Sequence, residues 1–400
     1  MNLFDYEEMV TGRAASLFEE DIANNYKAIN DNLKNARVAI IGAAGSIGSA
    51  VVKTILEFNP KGLALIDLSE NNLVEVVRDI RSCAGLRVPE DFSTLPIGFG
   101  SQEFMRYFEE SLSFDYVLNF CAIKHVRSEK DIYCLIRMLD TNVLFLHDFL
   151  ENLPYKIRNF FSVSSDKAAN PANLMGASKM VMEEVLRYHS TLHRYSTARF
   201  ANVAFSDGSL PFGFINRLKK QQAISAPYDV KRYFISHKEA SQLCLLSCIL
   251  GDNGDIFFPK LEQGLNEETF ADIARNFLKQ NGFDPFECES EGEAKRKAPE
   301  LIKNKQWPCY FFKTDTSGEK DFEEFYTTSD IINFDRFQNV GIIKSLQAEM
   351  DKDCLLNFIS FAKSLKTKKN INKDHIVDEF CKVVLSLQHI ETGKNLDQKM

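Results

Sequence analysis

Tryptophan is nearly missing from this sequence of 400 residues: Trp307 is the only one. Close cysteine pairs are missing altogether. None of the nine cysteines forms a C-x-x-C pair, and an odd number cannot all pair within one chain, which argues against a disulfide framework and fits a reducing cytoplasm. Cys244 and Cys248 lie four apart in an apolar helical stretch and are expected as buried core thiols. There is no excess of positive charge: 48 Lys and Arg against 56 Asp and Glu leave a net charge of −8. That balance disfavours nonspecific binding to nucleic acid, while a local basic cleft for phosphates stays open. Apolar runs such as "DYVLNFCAI" (115–123) are far shorter than the ~20 residues of a membrane span. The opening "MNLFDYEEMVTGR" has acidic residues where a signal peptide has basic ones. A soluble cytoplasmic protein is expected, without internal repeats.

What is present begins with a polar, helix-prone segment at 1–34, expected to pack against a neighbouring element or subunit. At "RVAIIGAAGSIGSAVVKTILEF" (37–58) a β-branched run leads through glycines into a helical pattern. Strand-like runs follow at "GLALIDL" (62–68), "DYVLNF" (115–120), "NFFSVSS" (159–165), "STARFANV" (196–203) and "GDIFFPK" (254–260), most of them separated by helical patterns. This alternation predicts an α/β protein, a Rossmann-type doubly wound parallel sheet. A smaller α/β substrate-binding region and helical terminal extensions complete the expectation. The boundaries fall at 1–34 for the N-terminal extension, 35–205 for the nucleotide domain and 206–345 for the substrate region, with 236–260 returning to the nucleotide domain. Residues 346–400 form a helical tail. From about 264 to 345 the pattern is irregular, with a charged patch at "ESEGEAKRKAPELIKNK".

Gly42, Gly45 and Gly48 form G-x-x-G-x-x-G between a strand and a helix. Such a turn brings the backbone (Ala44, Ser46 and Ile47 as well as the glycines) close to a pyrophosphate, which then sits at a positive helix N-terminus. Asp67 ends the next strand nineteen residues after Gly48, where a carboxylate accepts hydrogen bonds from the adenosine ribose. A carboxylate there repels a 2′-phosphate, and the following "LSENN" offers no arginine to hold one. NAD is therefore expected in preference to NADP.

Further along stand Lys124-His125-Val126, Ser164-Ser165-Asp166-Lys167, Asn170-Pro171, Arg199-Phe200-Ala201-Asn202-Val203 and Arg232-Tyr233-Phe234. With the glycine turn, these ordered motifs over residues 35–260 resemble the extended short-chain dehydrogenase/reductases, specifically the nucleotide-sugar 4,6-dehydratases that act on UDP-N-acetylglucosamine. The resemblance implies NAD as a borrowed electron sink. Carbon 4 is oxidised, carbon 5 loses a proton, the carbon-6 hydroxyl leaves as water and the hydride returns to carbon 6. It also implies roles: Asp166 as acid toward the leaving hydroxyl, Lys167 as base at carbon 5, and Lys179 on the nicotinamide ribose. Lys124, His125, Asn170, Asn202 and Arg232 would face the substrate, and Arg232 suits a diphosphate. Asn170 and Asn173 would orient the loop. A lysine acts as base only if burial or a neighbouring cation lowers its pKa.

Four residues before Lys179, where the wider family has the tyrosine of Y-x-x-x-K, stands Met175. A thioether cannot take a hydroxyl proton. The branch of the family that retains configuration at carbon 5 is similar in having methionine here, so the proton goes to Asp166, to water, or through Ser165. The best-known retaining members often carry an N-terminal membrane region, and no such run occurs here. The expected function is dehydration of UDP-N-acetylglucosamine to the 4-keto-6-deoxy sugar, for bacterial surface-glycan or glycoprotein sugars, by a homo-oligomer. The alternatives are a carbon-5-inverting dehydratase or epimerase, or a non-catalytic NAD-binding scaffold. His189 and His193 have a metal-compatible spacing but no third ligand in sequence, and no metal is expected. The "RLKKQQ" run (217–222) reads as a solvated basic face, and "KQWPCYFFKTDTSGEKDFEEFY" (305–326) carries no assigned chemistry.

Overall fold

The computed structural model describes residues 3–200, 202–260, 268–314, 323–344 and 350–389. Six parallel strands form its centre: β1 (Arg37–Ile41), β2 (Gly62–Ile66), β3 (Asp91–Leu95), β4 (Tyr116–Asn119), β5 (Asn159–Val163) and β6 (Tyr195–Ala198). They lie in the spatial order β3-β2-β1-β4-β5-β6, so the winding reverses between β1 and β4 and leaves a crevice at the carboxyl ends of the strands. Side chains alternate between the two faces, as strand geometry requires. Ala39, Ile41, Ala64, Ile66 and Val117 enter one core, while Val38, Ile40, Leu63, Leu65 and Leu118 enter the other. Because helices cover both faces, β1, β2, β4 and β5 read as continuous apolar runs. β3 does not: "DFSTL" is only half-buried, and its polar composition hides it in the sequence.

Beyond β6 the strand Asp255–Pro259 adds in parallel, and Val340–Lys344 then pairs with it antiparallel, followed by Ile332–Asn333. The strand Asp255–Pro259, within 236–260, thus lies in the main sheet. The strands at 332–344 lie in it too, the later one closing the open edge of Asp255–Pro259. A second, three-stranded parallel sheet joins Asp284–Glu287, Gln306–Phe312 and Ile224–Pro227. Regular elements thus occur within 264–345, where the sequence pattern is irregular. Helices Phe270–Gln280 and Glu291–Lys303 occur there, the second with only Ala294, Ala298 and Leu301 buried on an otherwise charged surface.

The terminal segments tie these parts together. Helix Leu3–Thr11 sends Tyr6 and Val10 into the smaller core with Phe214, Phe277 and Trp307. Helix Glu19–Leu33 sends Ile29 and Leu33 into the main one. At the other end, helices Lys352–Ser364 and Lys373–Val383 bury Leu355, Phe358, Ile359 and Phe380 against the sheet's first face. Of the tail at 389–400 only His389 lies among the described residues, close to Glu129 at 3.3 Å. No helix among the described residues is long and apolar enough to cross a membrane.

Candidate active site

The glycine turn is shaped by close approach. Gly42 has φ +77°, and its N–H donates to the Ile66 carbonyl at 2.8 Å. A Cβ on Gly48 would stand 2.0 Å from the Gly42 carbonyl oxygen, so the first turn of helix Ser46–Leu56 lies directly on the loop. Gly45 is the N-cap, with no side chain capping the helix; its first N–H groups are therefore disposed toward an anion. Ile47 packs on the core beneath, and the Ser46 hydroxyl accepts the Asp207 N–H at 2.8 Å. Asp67 accepts from Ala44 N at 3.0 Å and Ser69 N at 2.9 Å, fixing the carboxylate beside the loop while lone pairs remain for a ribose. This cradle fits a dinucleotide.

The carboxyl end of β5 carries the second group. Asp166–Ala168 form a single 3-10 turn whose N-cap is Ser165. The Ser165 hydroxyl donates to Asp166 Oδ1 at 2.7 Å, and Lys167 Nζ donates to both Asp166 oxygens at 3.1 Å. Asp166 is buried, at 5% exposure. Helix Leu174–Tyr188 follows, capped by Asn173, whose Oδ1 accepts the Gly176 N–H at 2.8 Å. A Cβ on Gly176 would meet the Lys167 carbonyl oxygen at 2.4 Å, so glycine there lets the helix seat against the Asp-Lys turn. Asn173 thus caps the helix that follows the Asp-Lys turn.

From the same helix Lys179 reaches the Val163 carbonyl, with Nζ donating at 2.9 Å. Burial is the main cause that lowers its pKa from 10.5 to about 8, against the pull of Glu183. Between those values the unfolded chain binds the proton and the folded one does not, so the cost of burying this ammonium shrinks as pH rises through that window. The shift corresponds to roughly 3 kcal/mol. Lys179→Met should therefore raise the melting temperature of the cofactor-free protein near neutral pH while abolishing activity; a lower melting temperature would show that the Val163 hydrogen bond outweighs the burial cost.

Met175 is 2% exposed and sits in the first core, its N–H donating to Glu129 Oε1 at 2.9 Å. Preceding the site on the β4 side, a π-turn at Asp140–Leu144 turns Asn142 inward, where it bonds both the Ile123 backbone and the Ser178 hydroxyl. Lys124 and His125 lie near the Asp207–Gly208 turn. Burial is the main cause holding both below their usual pKa, with Lys124 adding to the effect on His125. A Cβ on Gly208 would stand 2.8 Å from His125 Nε2.

Asn170, Asn202 and Arg232 converge on a segment that sequence reasoning left without chemistry. Asn170 Nδ2 donates to Glu324 Oε2 at 3.0 Å, and Asn202 Nδ2 to Glu323 Oε1 at 2.6 Å. Arg232 is buried and donates to the Lys231 carbonyl, and its charge acts on Glu323. The signal in the sequence was slight, an "EEFY" in an otherwise unpatterned stretch. At the opposite, amino end of the strands, His189 finds its partners in His147, ring to ring at 3.1 Å, and Glu151, not in His193. Burial is the first cause that drives His189 down to about 4, and the three side chains lie within 4.8 Å of one another.

The family model described as polysaccharide biosynthesis protein matches residues 38–344. MJ1061 of Methanocaldococcus jannaschii, called an uncharacterized membrane protein, is 26% identical over 365 residues, covering 89% of this chain and 96% of its own. Capsular polysaccharide biosynthesis protein CapD of Staphylococcus aureus is 27% identical over 259 residues, 64% of this chain but 42% of CapD. The chain thus spans less than half the length of that relative. Among solved structures, Pen from Bacillus thuringiensis aligns with a TM-score of 0.62 at 20% identity, covering 87% of this chain and 98% of Pen. DesIV of Streptomyces venezuelae, a dTDP-glucose 4,6-dehydratase crystallised with NAD, gives 0.52 at 16% identity over 70% of this chain and 88% of its own. At such identities the likeness speaks for the fold, the Rossmann-type α/β sheet. The family match runs from the glycine turn through the Asp166-Lys167 turn to the antiparallel edge strand, and on it the chain belongs to the polysaccharide biosynthesis protein family.

Proposed function

We propose that this chain is an NAD-dependent 4,6-dehydratase of a nucleotide-activated N-acetylhexosamine, with UDP-N-acetylglucosamine the first substrate to test. The observation that carries the reading is the buried Asp166, ion-paired to Lys167 at the carboxyl end of β5, in the crevice that the glycine turn and Lys179 also border. Asp67 supports NAD over NADP by charge repulsion, and the NAD-bound dehydratase DesIV shares the fold. NAD, when bound, supplies a reversible acceptor for the electron pair at carbon 4. Lys179 places positive charge beside the nicotinamide ribose, and a proton passed from Lys167 to Asp166 within their ion pair leaves Lys167 able to take the carbon-5 proton and Asp166 able to deliver one to the leaving carbon-6 hydroxyl. An epimerase reading would need the tyrosine that Met175 replaces.

The test is incubation of the purified protein with UDP-N-acetylglucosamine in deuterated water, followed by NMR of the product. A 4-keto-6-deoxy sugar with deuterium at carbon 5 and retained configuration is expected, with no net build-up of NADH. NADH rising in step with product would indicate a simple dehydrogenase, and an inverted product would remove the branch assignment. Met175→Tyr is expected to bring no large gain, because the site already has another proton acceptor and the new phenol would enter a packed core. A hundredfold rise would mean that methionine is a lesion.

A further inference from the structure

The amino end of the sheet holds a second cluster of polar side chains, away from the crevice. His147 and Glu151 are four apart on helix Phe145–Asn152 and so share a face. His189 is the C-cap of helix Leu174–Tyr188, 42 residues beyond His147. The sequence offers His189 only His193 at a metal-compatible spacing; the fold offers it a histidine and a carboxylate from another helix. The His189 side chain is 1% exposed, and His147 is buried. Tyr188 packs on both, its ring edge-on to His189 at 4.9 Å and tilted to His147 at 6.1 Å. His189 Nε2 and His147 Nδ1 are 3.1 Å apart, so one proton can lie between the rings. The other His189 nitrogen, Nδ1, is buried and has no hydrogen-bond partner. It stands 3.7 Å from Glu151 Oε2, beyond hydrogen-bond reach.

A buried ring nitrogen left unpaired costs free energy, and this one faces an anion too distant to pair with it directly. We propose that His147, Glu151 and His189 bind one divalent transition-metal ion, zinc the first to test, that pins helix Phe145–Asn152 to the end of helix Leu174–Tyr188. One ligand atom from each of the three side chains lies within 4.8 Å of the others. Two atoms bonded to one tetrahedral ion at about 2.0–2.2 Å stand about 3.3–3.6 Å apart, close to the separations of 3.1 and 3.7 Å here. Glu151 is half-exposed and closes the remaining gap by rotation, while burial holds the two rings. Metal bonds replace the hydrogen bond between the rings, and each imidazole stays neutral with its N–H on the nitrogen turned away from the ion. Imidazole with carboxylate suits zinc, nickel or copper, whereas calcium and magnesium prefer oxygen alone. Lys363, whose charge acts on His147, is itself paired with Asp148 at 2.7 Å. Glu151 has no lysine or arginine partner among the described residues, and its charge is available to a cation. The ion lies at the end of the strands opposite the crevice, so it serves the fold and takes no part in the sugar chemistry.

The test uses the full chain, stripped with a chelator and titrated with zinc against a chromophoric competitor, then with cobalt for its absorption spectrum. Wild type should take up one zinc per chain and melt at a higher temperature with it. Glu151→Gln, at a half-exposed position that the fold tolerates, should weaken zinc binding at least about 10²-fold, the upper end of what even outer-shell partners contribute. His147→Leu should do the same, and zinc should raise the melting temperature of neither variant. Other surface groups can hold zinc, among them the exposed Cys354 and Cys381 and the exposed His375. Binding should therefore survive Cys354→Ser, Cys381→Ser and His375→Ala, and the cobalt spectrum should lack a thiolate charge-transfer band. Failure of the wild type to take up zinc would mean that the rings share a hydrogen bond and nothing more. Uptake undiminished in Glu151→Gln and His147→Leu, or a thiolate band, would place the ion elsewhere; either result overturns the proposal.

Discussion

Lys167→Met is expected to slow water loss by 10²–10⁴-fold, the range that a positioned acid or base contributes, while NAD still binds. The lysine makes two contacts of 3.1 Å to Asp166 and none to the glycine turn, so on the proposed function its loss takes away the carbon-5 base and leaves the cofactor cradle alone. It also strips the buried Asp166 of its ion-pair partner, and Asp166→Asn should fail at the same step for the complementary reason. The measurements are product formation by NMR and NAD affinity by titration, made on the same preparations. Near-normal turnover in either variant would cancel the role assigned to that residue; loss of NAD binding would place the pair in the cofactor site instead.

The other large effect belongs to the turn. Gly48→Ala puts a Cβ 2.0 Å from the Gly42 carbonyl oxygen and 2.9 Å from its carbon. Both are backbone atoms, so the loop or the helix must move. Overpacking of this kind costs about 1–3 kcal/mol, and the displaced N–H groups would no longer converge on a pyrophosphate. NAD affinity should fall by about two orders of magnitude or more, at about 1.4 kcal/mol for each tenfold, with a lower melting temperature. The control is Gly213→Ala in helix Leu210–Lys219, where an added Cβ meets nothing within 4 Å; it should leave NAD affinity unchanged and stabilise slightly. Equal NAD binding in Gly48→Ala and wild type would mean that this turn does not hold the cofactor.

What could be read from sequence was local. Gly42, Gly45 and Gly48 announce their turn because glycine spacing and a helical pattern adjoin, and Asp166-Lys167 because they end an apolar strand. Cys244 and Cys248, expected in the core, are indeed buried there. β3 escaped because its half-exposed residues show no apolar pattern. Val340–Lys344 escaped because nothing in its own composition says which edge it closes. Glu323 was the most consequential omission. Its partners Asn202 and Tyr233 are 121 and 90 residues away, and only the folded sheet brings them together. Met175 shows the reverse: its position in the motif was plain, but its burial in the core followed from packing against residues that no short pattern contains.

That separation in the chain also sets an order of events on the ribosome. All six central strands are complete once residue 198 has emerged, whereas Glu323 and the edge strand Val340–Lys344 come later. At the usual pace of synthesis, the 125 residues from 198 to 323 take roughly 6–25 s. During that interval a nascent chain can already close its glycine turn, yet Asn202 and the Tyr233 N–H are still without Glu323. Contacts so distant in sequence are also the slowest to form. The wall of the crevice that Glu323 forms against Asn202 and Tyr233 is therefore completed after the glycine turn and the Asp166-Lys167 turn, so the side of the site drawn from distant sequence is the last to close.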